Sequence, residues 1–290
     1  MGILNLRKSW HKLICKNRID SRLKLRYYKN FNIWPNLNNP TKFNEKILYR
    51  MLHDRNKFYP ILADKFLVRE YIAKNIGQKY LIPLIHSTEN TESLLDIKDW
   101  SNTVIKPNHA AGKIRIINNN PTLTEKKIII DEIKKWLLLD FSKTHDEWQY
   151  TNIKPMILME SKITKDNSIP RDYKFHCFKQ KNEEIEFVLQ LVDGRFNEES
   201  RGYYLNSFEN CIWHHGIGKH HINPKEVPLL KKIIHLNEKL MSDKFKYVRI
   251  DWYIVDNMIY FGELTFTPGA GKSNEFGKEL EKIMGRLWIE

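Results

Sequence analysis

Hydrophobic and polar positions recur along the chain with two periods, one typical of helices and one typical of strands. Three-to-four spacing predicts helices over residues 44–56, 59–77, 125–140 and 224–243, and a terminal helix. Apolar runs and period-two alternation predict strands over 79–87, 102–107, 155–160, 171–178 and 184–192, and a closing hairpin of 247–255 with 258–266. The stretch from 193 to 222 is predicted to be rich in loops. Helices mixed with antiparallel hairpins predict an α+β or mixed-sheet protein.

The closing hairpin carries two carboxylates in strands that are otherwise apolar, Asp251 and Glu263. With a three-residue loop over 256–258, antiparallel pairing places them opposite each other, on one face with Arg249 and Thr265. A carboxylate in a core strand is costly unless it is paired, hydrogen-bonded or bound to a metal. Such oxygens suit Mg²⁺ that carries phosphates. The alternative is that Asp251 pairs with Arg249 or a lysine while Glu263 lies at the rim.

A lysine at the end of a predicted strand, Lys106, precedes a loop of small residues. A lysine on a rigid strand beside such a loop can hold phosphate while backbone amides close over it. An ordinary surface hairpin is the alternative.

The strand RDYKFHCF alternates strictly between apolar and polar side chains. Its apolar set is predicted to face the core, and its polar set, which contains Asp172, Lys174 and His176, to line something polar. The alternative for the polar set is a sheet face that is open to water.

The order of these features resembles the ATP-grasp fold, and more narrowly the TupA-like ATP-grasp family, which is linked to polysaccharide and teichuronopeptide synthesis. The resemblance covers roughly residues 41 to 275. It rests on the stretches KFNEKILYRMLHDRN, ILADKFLVREYIAKNIGQKYLIPLI, VIKPNHAAGK, EWQYTNIKPMILME, PRDYKFHCF and VRIDWYIVDNMIYFGELTFTPGAG. It implies two α+β lobes that sandwich ATP, with a basic N-terminal helical extension outside them.

The resemblance also implies roles for individual residues. Lys174 and Arg249 would act on the transferring phosphate and the acyl-phosphate. Asp251, Glu263 and Thr265 would bind Mg²⁺. The residues that would bind ATP are Lys65, Lys106, His109, Ala110, Ala111, Gly112, Glu160 and Asp172.

Four positions depart from the pattern of the family. Thr265 stands where many ATP-grasp enzymes have Asn. Ala110 and Ala111 replace the Gly and Ser that are usual in the loop. Ser161 stands where relatives often have a second acid after Glu160.

The implied reaction is ADP-forming ligation of a carboxylate to an amine through an acyl-phosphate. We expect an anionic saccharide acceptor, such as a uronic acid of a surface polysaccharide (capsule, O-antigen or teichuronic type), and an amino acid or amine donor. A glycosyl- or phosphotransferase of the same pathway and a non-catalytic polyanion-binding protein are the alternatives. The predicted parts are an extension over 1–40, an N-terminal lobe over 41–100, a small lobe with a lid loop over 101–165, and a C-terminal lobe with the metal site over 166–290.

Positive charge is concentrated at the N-terminus of this 290-residue chain. Residues 1–30 hold nine Lys or Arg and one acid, which is +8 of the net +13. A basic amphipathic segment that contains Trp10 suits an anionic membrane surface, and a helix docked on the protein body is the alternative. Nucleic acid is not expected, because it requires charge spread over a folded face.

Hydropathy and cysteine usage predict where the protein resides. We expect no transmembrane helix and no secretory signal, and the three separated cysteines fit a reducing compartment. The predicted location is the bacterial cytoplasm, with peripheral attachment to the inner face of the plasma membrane.

Two motifs invite other interpretations. GAGKS over 269–273 imitates the end of a P-loop, but the position of the first glycine is occupied by Phe266. We expect Gly271 and Lys272 to flank the acceptor instead. The histidines at 214, 215, 220 and 221 suggest a metal site, but neighbouring side chains on an extended chain point in opposite directions. Acceptor binding is therefore favoured over metal binding for this loop.

Overall fold

The computed structural model describes residues 19–164, 168–194, 198–216, 220–241 and 245–289. Its helices are α1 (Ile19–Phe31), α2 (Phe43–His53), α3 (Phe58–Ala63), α4 (Val68–Asn75), α5 (Leu123–Leu137), α6 (Phe141–His145), α7 (Val227–Leu240) and α8 (Gly277–Leu287). Short 3₁₀ helices cover Gln78–Tyr80, Thr91–Asp96, Trp148–Tyr150 and Pro268–Gly271. Among the described helices, none has the length and hydropathy that are needed to cross a bilayer.

The strands form two antiparallel sheets. The smaller sheet has the order β1-β4-β2-β3 and the larger β10-β9-β5-β6-β7-β8. The strands are β1 (Leu84–Thr88), β2 (Thr103–Pro107), β3 (Arg115–Ile117), β4 (Ile157–Ser161), β5 (Asp172–Lys179), β6 (Ile185–Asp193), β7 (Ser200–Leu205), β8 (Cys211–His215), β9 (Tyr247–Val255) and β10 (Met258–Thr265). The predicted mixture of helices and antiparallel hairpins is confirmed.

Three predicted elements are wrong in their extent. The helix predicted over 59–77 is divided, because Asp64 Oδ1 accepts hydrogen bonds from the amides of Phe66 and Leu67 and turns the chain between α3 and α4. The strand predicted over 79–87 begins only at Leu84, after a 3₁₀ turn. The stretch that was predicted to be loop-rich contains β7 and β8, a hairpin whose polar residues hide the strand pattern.

Each sheet is covered by helices through its apolar side chains. The smaller sheet packs Ile105 and Met159 against Ile129 and Ile133 of α5. The larger sheet is covered on both faces. One face buries Tyr173, Phe175 and Cys177 with α4 and α7, and the other packs against α1, α2 and α8. The predicted core side of β5 is therefore confirmed.

The polar side of β5 is not open to water along its length. His176 is fully buried, and its ring nitrogens contact the hydroxyl of Tyr247 at 2.8 Å and Oε1 of Gln190 at 3.1 Å. Burial lowers the pKa of His176 to about 3. The ring is therefore neutral and structural, and the water-facing alternative is wrong for this strand.

Candidate functional site

The register of the larger sheet brings three charged residues into one row. Glu263 on β10 pairs with Asp251 on β9, and Asp251 pairs with Lys174 on β5. Residues that pair directly across antiparallel strands project from the same face. The predicted apposition of Asp251 and Glu263 is therefore confirmed.

The turn that produces this register differs from the predicted one. Val255 pairs with Met258, so the loop contains only Asp256 and Asn257, which have φ of 50° and 60°. A two-residue loop with positive φ at both positions is the preferred connection in a β-hairpin. A bulge beside Gly262 then shifts the register by one residue and restores the pairing of Asp251 with Glu263.

Arg249 joins the two carboxylates. Its Nε donates to Asp251 Oδ1 at 2.7 Å, and its Nη2 contacts Asp251 Oδ2 at 2.8 Å and Glu263 Oε1 at 2.9 Å. Lys174 Nζ reaches Asp251 Oδ2 at 2.7 Å and Asp172 Oδ1 at 3.3 Å. Three carboxylates and two cations therefore form one continuous network at the centre of the sheet.

Electrostatics keep the network charged although most of its side chains are largely buried, with Glu263 33% exposed. Burial opposes ionisation of Glu263, but the positive charges of Lys65, Arg249 and Lys174 outweigh it and lower the pKa of Glu263 to about 2. Burial likewise tends to lower the pKa of Arg249, and the carboxylates of Asp251 and Glu263 reverse this and raise it. Glu263 is thus an anion at neutral pH and Arg249 a cation.

The network contains oxygen atoms of the type that a hard divalent cation prefers, although Arg249 and Lys174 already contact both oxygens of Asp251. Glu263 is ionised, and the hydroxyl of Thr265 donates to its Oε1 at 3.0 Å. The described residues contain no group of three or more His, Cys, Asp or Glu side chains placed to hold a metal. A cation here would thus complete its shell with phosphate and water oxygens, as Mg²⁺ commonly does.

The two lysines that were predicted to hold phosphate lie near this network. Lys65 follows the turn at Asp64, and its Nζ donates to the carbonyl of Ala110 at 2.9 Å. Burial lowers the pKa of Lys65, while the charge of Glu263 raises it and that of Lys106 lowers it further. The ammonium of Lys65 therefore interacts with the charges of both Glu263 and Lys106, and it adds positive charge suited to polyphosphate beside the network.

The predicted loop after β2 is partly enclosed. His109 is buried, with Nδ1 at 3.2 Å from Asn108 Oδ1, and burial lowers its pKa. Ala110 is buried as well, whereas Ala111 and Gly112 are exposed, and Gly112 has a φ of 72°. The loop thus offers an exposed tip above Lys65.

A cavity of about 240 Å³ opens beside Lys106 and Glu160. Val104 pairs with Glu160 across the smaller sheet, so these three side chains share one face. Glu160 is held by Lys106 at 2.6 Å and by Arg69 at 3.1 Å. The remaining lining is mainly apolar and includes Ile82, Ile114, Ile116, Ile169 and Tyr253. Such a cavity, with an apolar wall and a few charged groups, suits a flat heteroaromatic ring.

Sequence reasoning missed a second group of polar residues that borders the network. Glu147 is buried and accepts a hydrogen bond from the hydroxyl of Thr267, and Gln149 Nε2 donates to the same hydroxyl at 2.7 Å. Burial raises the pKa of Glu147 to about 7. The only signal in the sequence was the stretch EWQY, and nothing local shows that it meets Thr267.

The histidines of the 193–222 stretch do not converge on one point in the described residues. His220 Nδ1 lies 2.9 Å from Asp193 Oδ2, and His214 Nδ1 lies 3.5 Å from Cys211 Sγ. The rings of His214 and His220 are 5.8 Å apart.

The chain is similar to one protein family and to several solved structures. The family model described as TupA-like ATPgrasp matches residues 45–289. Solved structures similar to the chain include a D-alanine–D-alanine ligase from Helicobacter pylori, with 17% identity, 79% of this chain and 62% of that chain covered, and a TM-score of 0.45. A D-alanine–D-alanine ligase from Bacillus anthracis complexed with ATP has 14% identity, coverages of 72% and 55%, and a TM-score of 0.38.

An L-amino acid ligase from Bacillus licheniformis shows 12% identity, covers 84% of this chain and 61% of that chain, and has a TM-score of 0.46. The chain thus spans less than two thirds of the length of each of these three proteins. No curated protein matches the chain.

Proposed function

The chain belongs to the TupA-like ATP-grasp family, and from this premise we propose that it is an ATP-dependent, ADP-forming carboxylate–amine ligase. The observation that carries the proposal is the placement of Arg249, which joins Asp251 and Glu263 while Lys174 reaches Asp251 from the next strand. Cations fixed beside two carboxylates can stabilise the charge that develops on a transferring phosphoryl group.

The proposed reaction has two steps. A carboxylate oxygen of the acceptor attacks the γ-phosphorus of ATP, the bond to the β–γ bridging oxygen breaks, and ADP leaves. The amine nitrogen then attacks the acyl carbon, the carbon–oxygen bond to phosphate breaks, and the amine proton is lost to a base. The products are the amide, ADP and inorganic phosphate. No covalent bond to the protein is needed, so rate enhancement comes from positioning and electrostatics.

Each part of the site has a proposed role. Lys65 and Lys106 would hold the ATP phosphates under the loop of His109, Ala110, Ala111 and Gly112, and Lys106 would exchange its contact with Glu160 for phosphate. Lys174 and Arg249 would offset the charge on the transferring phosphoryl group. Glu160 would lie beside the adenine in the cavity, and Asp172 beside the ribose.

A magnesium site is proposed at Asp251, Glu263 and Thr265. The cation would neutralise charge on the phosphates when it is bound. The protein contributes the oxygen atoms, and Arg249 keeps both carboxylates oriented in its absence.

For the lobes, we propose the predicted division at residues 100 and 165, with β1 of the N-terminal lobe completing the sheet of the small lobe through its pairing with β4. For the substrate, we propose a uronic acid of a surface polysaccharide. The resemblance of the family and the basic N-terminal segment support an anionic acceptor, lipid-linked or near an anionic membrane. Residues 1–18 of that segment lie outside the described residues.

The test is a screen of uronic acids with amino acids and simple amines for ADP release in the presence of Mg·ATP, with mass spectrometry of the product. We expect ADP release to need both a carboxylate and an amine, and E263Q to lower kcat by about 10²-fold or more. ADP release with a carboxylate and no amine would indicate a phosphotransferase instead. Full activity of E263Q would contradict the metal assignment.

A further inference from the structure

The network of Arg249, Asp251 and Glu263 has a neighbour that the proposed reaction leaves without a role. Glu147 and Gln149 precede β4, and both meet Thr267, two residues beyond Thr265. The charges of Glu263 and Arg249 act on Glu147. The neighbouring group therefore lies within electrostatic reach of the network.

This group contains buried polar atoms that lack partners. Gln149 is 1% exposed, and its Oε1 accepts no hydrogen bond within the described part of the chain. The Nδ1 atom of His145 is likewise buried and unpaired there. A buried acceptor that is left unpaired costs free energy, so such atoms commonly mark the position of a water molecule or a ligand. Gln149 offers an acceptor, and a neutral His145 can offer a donor.

Lys272 supplies a positive charge at the same place. Lys272 ends the turn that begins at Thr267, where the amide of Ala270 donates to the carbonyl of Thr267 at 2.9 Å and the amide of Lys272 to that of Gly269 at 3.1 Å. The charge of Lys272 lowers the pKa of both Glu147 and His145. Within the described residues this ammonium makes no hydrogen bond or ion pair, although the side chain is only half-exposed. An unpaired, partly desolvated lysine is suited to an anionic ligand group.

The backbone that carries Lys272 is fixed in position. Gly269, Ala270 and Gly271 have φ of 61°, 50° and 64°, and a Cβ on Gly271 would lie 2.7 Å from Leu48 Cδ2. Asn44 Nδ2 donates to the carbonyl of Ser273 at 2.8 Å. The turn is therefore anchored on α2 on both sides of Lys272, and it presents the lysine from a defined position.

One side of this group reaches solvent. His145, Tyr150 and Lys272 are half-buried, whereas Glu147 and Gln149 are buried. A ligand entering here would meet Lys272 and His145 first and the two acceptor side chains deeper. Opposite charges so arranged fit a zwitterion better than they fit ammonia or a monoamine.

We infer that Glu147, Gln149, His145 and Lys272 form the subsite for the amine substrate, and that this substrate is an α-amino acid bound by both of its charged groups. The ammonium is held by Glu147 and Gln149 Oε1, and the carboxylate by Lys272 and His145. This inference rests on the proposed function and specifies its amine substrate. The buried carboxylate of Glu147 is also placed to accept a proton from the bound ammonium before the nitrogen attacks.

The first test measures binding by the full chain in the presence of magnesium and a non-hydrolysable ATP analogue. The standard amino acids are screened by thermal unfolding, because a ligand that binds only the native state raises Tm. Each amino acid that binds is compared by calorimetry with its methyl ester, which lacks the carboxylate, and its N-acetyl derivative, which lacks the ammonium. We expect both derivatives to bind at least about tenfold more weakly.

The variants K272M and E147Q test which residue binds the carboxylate and which binds the ammonium of the amino acid. We expect each to weaken amino-acid binding by about tenfold or more, while the exposed controls K278M and E209Q leave it unchanged. In K272M, affinity for the methyl ester should equal that of the wild type, because the ester has no carboxylate to lose. If E147Q does not fold, K272M still tests the inference, because Lys272 lies on a half-exposed loop where its replacement should not prevent folding.

Three outcomes overturn the inference: no amino acid binds, the methyl ester binds as well as the amino acid, or K272M binds the amino acid like the wild type. The outcomes that would contradict the proposed function differ from those that would contradict the subsite. Amino-acid binding that is lost in K272M, without ADP formation with any uronic acid, would retain the subsite and reject the ligase. ADP formation with a monoamine, without amino-acid binding, would retain the ligase and reject the subsite.

Discussion

Asp251 and Glu263 stand directly opposite each other although the loop between their strands contains only two residues. Simple pairing outward from Val255 and Met258 would place Gly262, not Glu263, opposite Asp251. The bulge beside Gly262 inserts one residue into β10 and turns the carboxylate of Glu263 to the face of Asp251 and Arg249. The chemistry of the site therefore depends on a backbone irregularity at a glycine.

The glycine at this bulge is expected to resist substitution. A Cβ at position 262 would lie 3.0 Å from the carbonyl oxygen of Asp251 and 3.2 Å from the ring of Tyr253. We expect G262V to lower the free energy of unfolding by about 1–3 kcal/mol. It should lower kcat for ADP formation by about 10²-fold, because small displacements of catalytic groups are costly. Urea unfolding and steady-state assays measure the two effects.

The control for the bulge is M258A on the same hairpin, where the side chain is half-exposed. M258A should change neither the free energy of unfolding nor kcat for ADP formation by much. If G262V had the kcat of the wild type, the bulge would not be needed to position Glu263.

Arg249 is expected to be needed for its forked shape as well as its charge. R249K keeps a positive charge but cannot contact Asp251 and Glu263 with two nitrogens at once. We expect kcat for ADP formation to fall by about 10²-fold, as it does when one preorganised donor is removed from a charged site. Stopped-time ADP assays with saturating substrates measure this change.

The matched control for Arg249 is R201K. Arg201 on β7 also contacts two carboxylates, Glu199 and Glu275, but lies away from the network. Its replacement should leave kcat within about twofold of the wild type, since surface-side ion pairs contribute little. Equal losses in R201K and R249K would show that the effect at Arg249 is general destabilisation.

Much of this site could be predicted from the sequence because its residues lie in regular strands. Period-two alternation places Lys174 on the polar face of β5, and pairing of β9 with β10 places Asp251 near Glu263. Both inferences need only local geometry and one hairpin. The resemblance of ordered motifs then supplied the family, which the match over residues 45–289 confirms.

The remaining features depend on contacts between distant parts of the chain. Glu147 meets Thr267 across 120 positions, and no local period encodes such a contact. The division between α3 and α4 follows from side-chain bonds of Asp64, which compete with a helix that the apolar pattern favours. In the β7–β8 hairpin, the paired residues Arg201 and His215 are both polar, and β8 is exposed from Ile212 to His215, so its residues show no alternation of buried and exposed positions.

Glu281 on α8 is expected to give the protein a pH-dependent stability. It accepts hydrogen bonds from the backbone amide of Asn44 at 2.9 Å and from its Nδ2 at 2.7 Å. Burial raises the pKa of Glu281 from 4.5 to about 7. The native state therefore holds this proton more tightly than the unfolded state, so its contribution to stability is complete below pH 4.5 and is lost as pH rises towards 7.

Replacement of Glu281 should flatten this dependence. In the wild type, Glu281 should lower the free energy of unfolding by up to roughly 3 kcal/mol between about pH 5 and pH 8, a limit set by the size of its pKa change. E281Q should lack this decrease. Glu147 contributes a loss in the same direction, so some slope remains. The exposed residue Glu279 lies on the same helix, and E279Q should keep the slope of the wild type. Urea unfolding of the wild type, E281Q and E279Q across this pH range measures the three slopes.

The described part of the basic N-terminal segment, α1, is expected to be structural. Leu23 and Tyr27 are each 1% exposed and pack in the core with α2 and α8. Arg22 and Arg26 contact Asp146 at 2.5 Å and 2.7 Å. This face of the helix is occupied by the protein body, so it cannot enter a membrane at the same time. Only the opposite face, with Ile19 exposed, is open to other partners.

Truncation of the packed face should therefore destabilise the whole protein. We expect L23A to lower the free energy of unfolding by about 2–5 kcal/mol, because it removes a fully buried side chain. I19A on the exposed face should lie within about 0.5 kcal/mol of the wild type. Both variants can be compared by urea unfolding monitored by tryptophan fluorescence. A loss in L23A no larger than that in I19A would mean that α1 is not docked in solution, and would return this segment to the membrane interpretation.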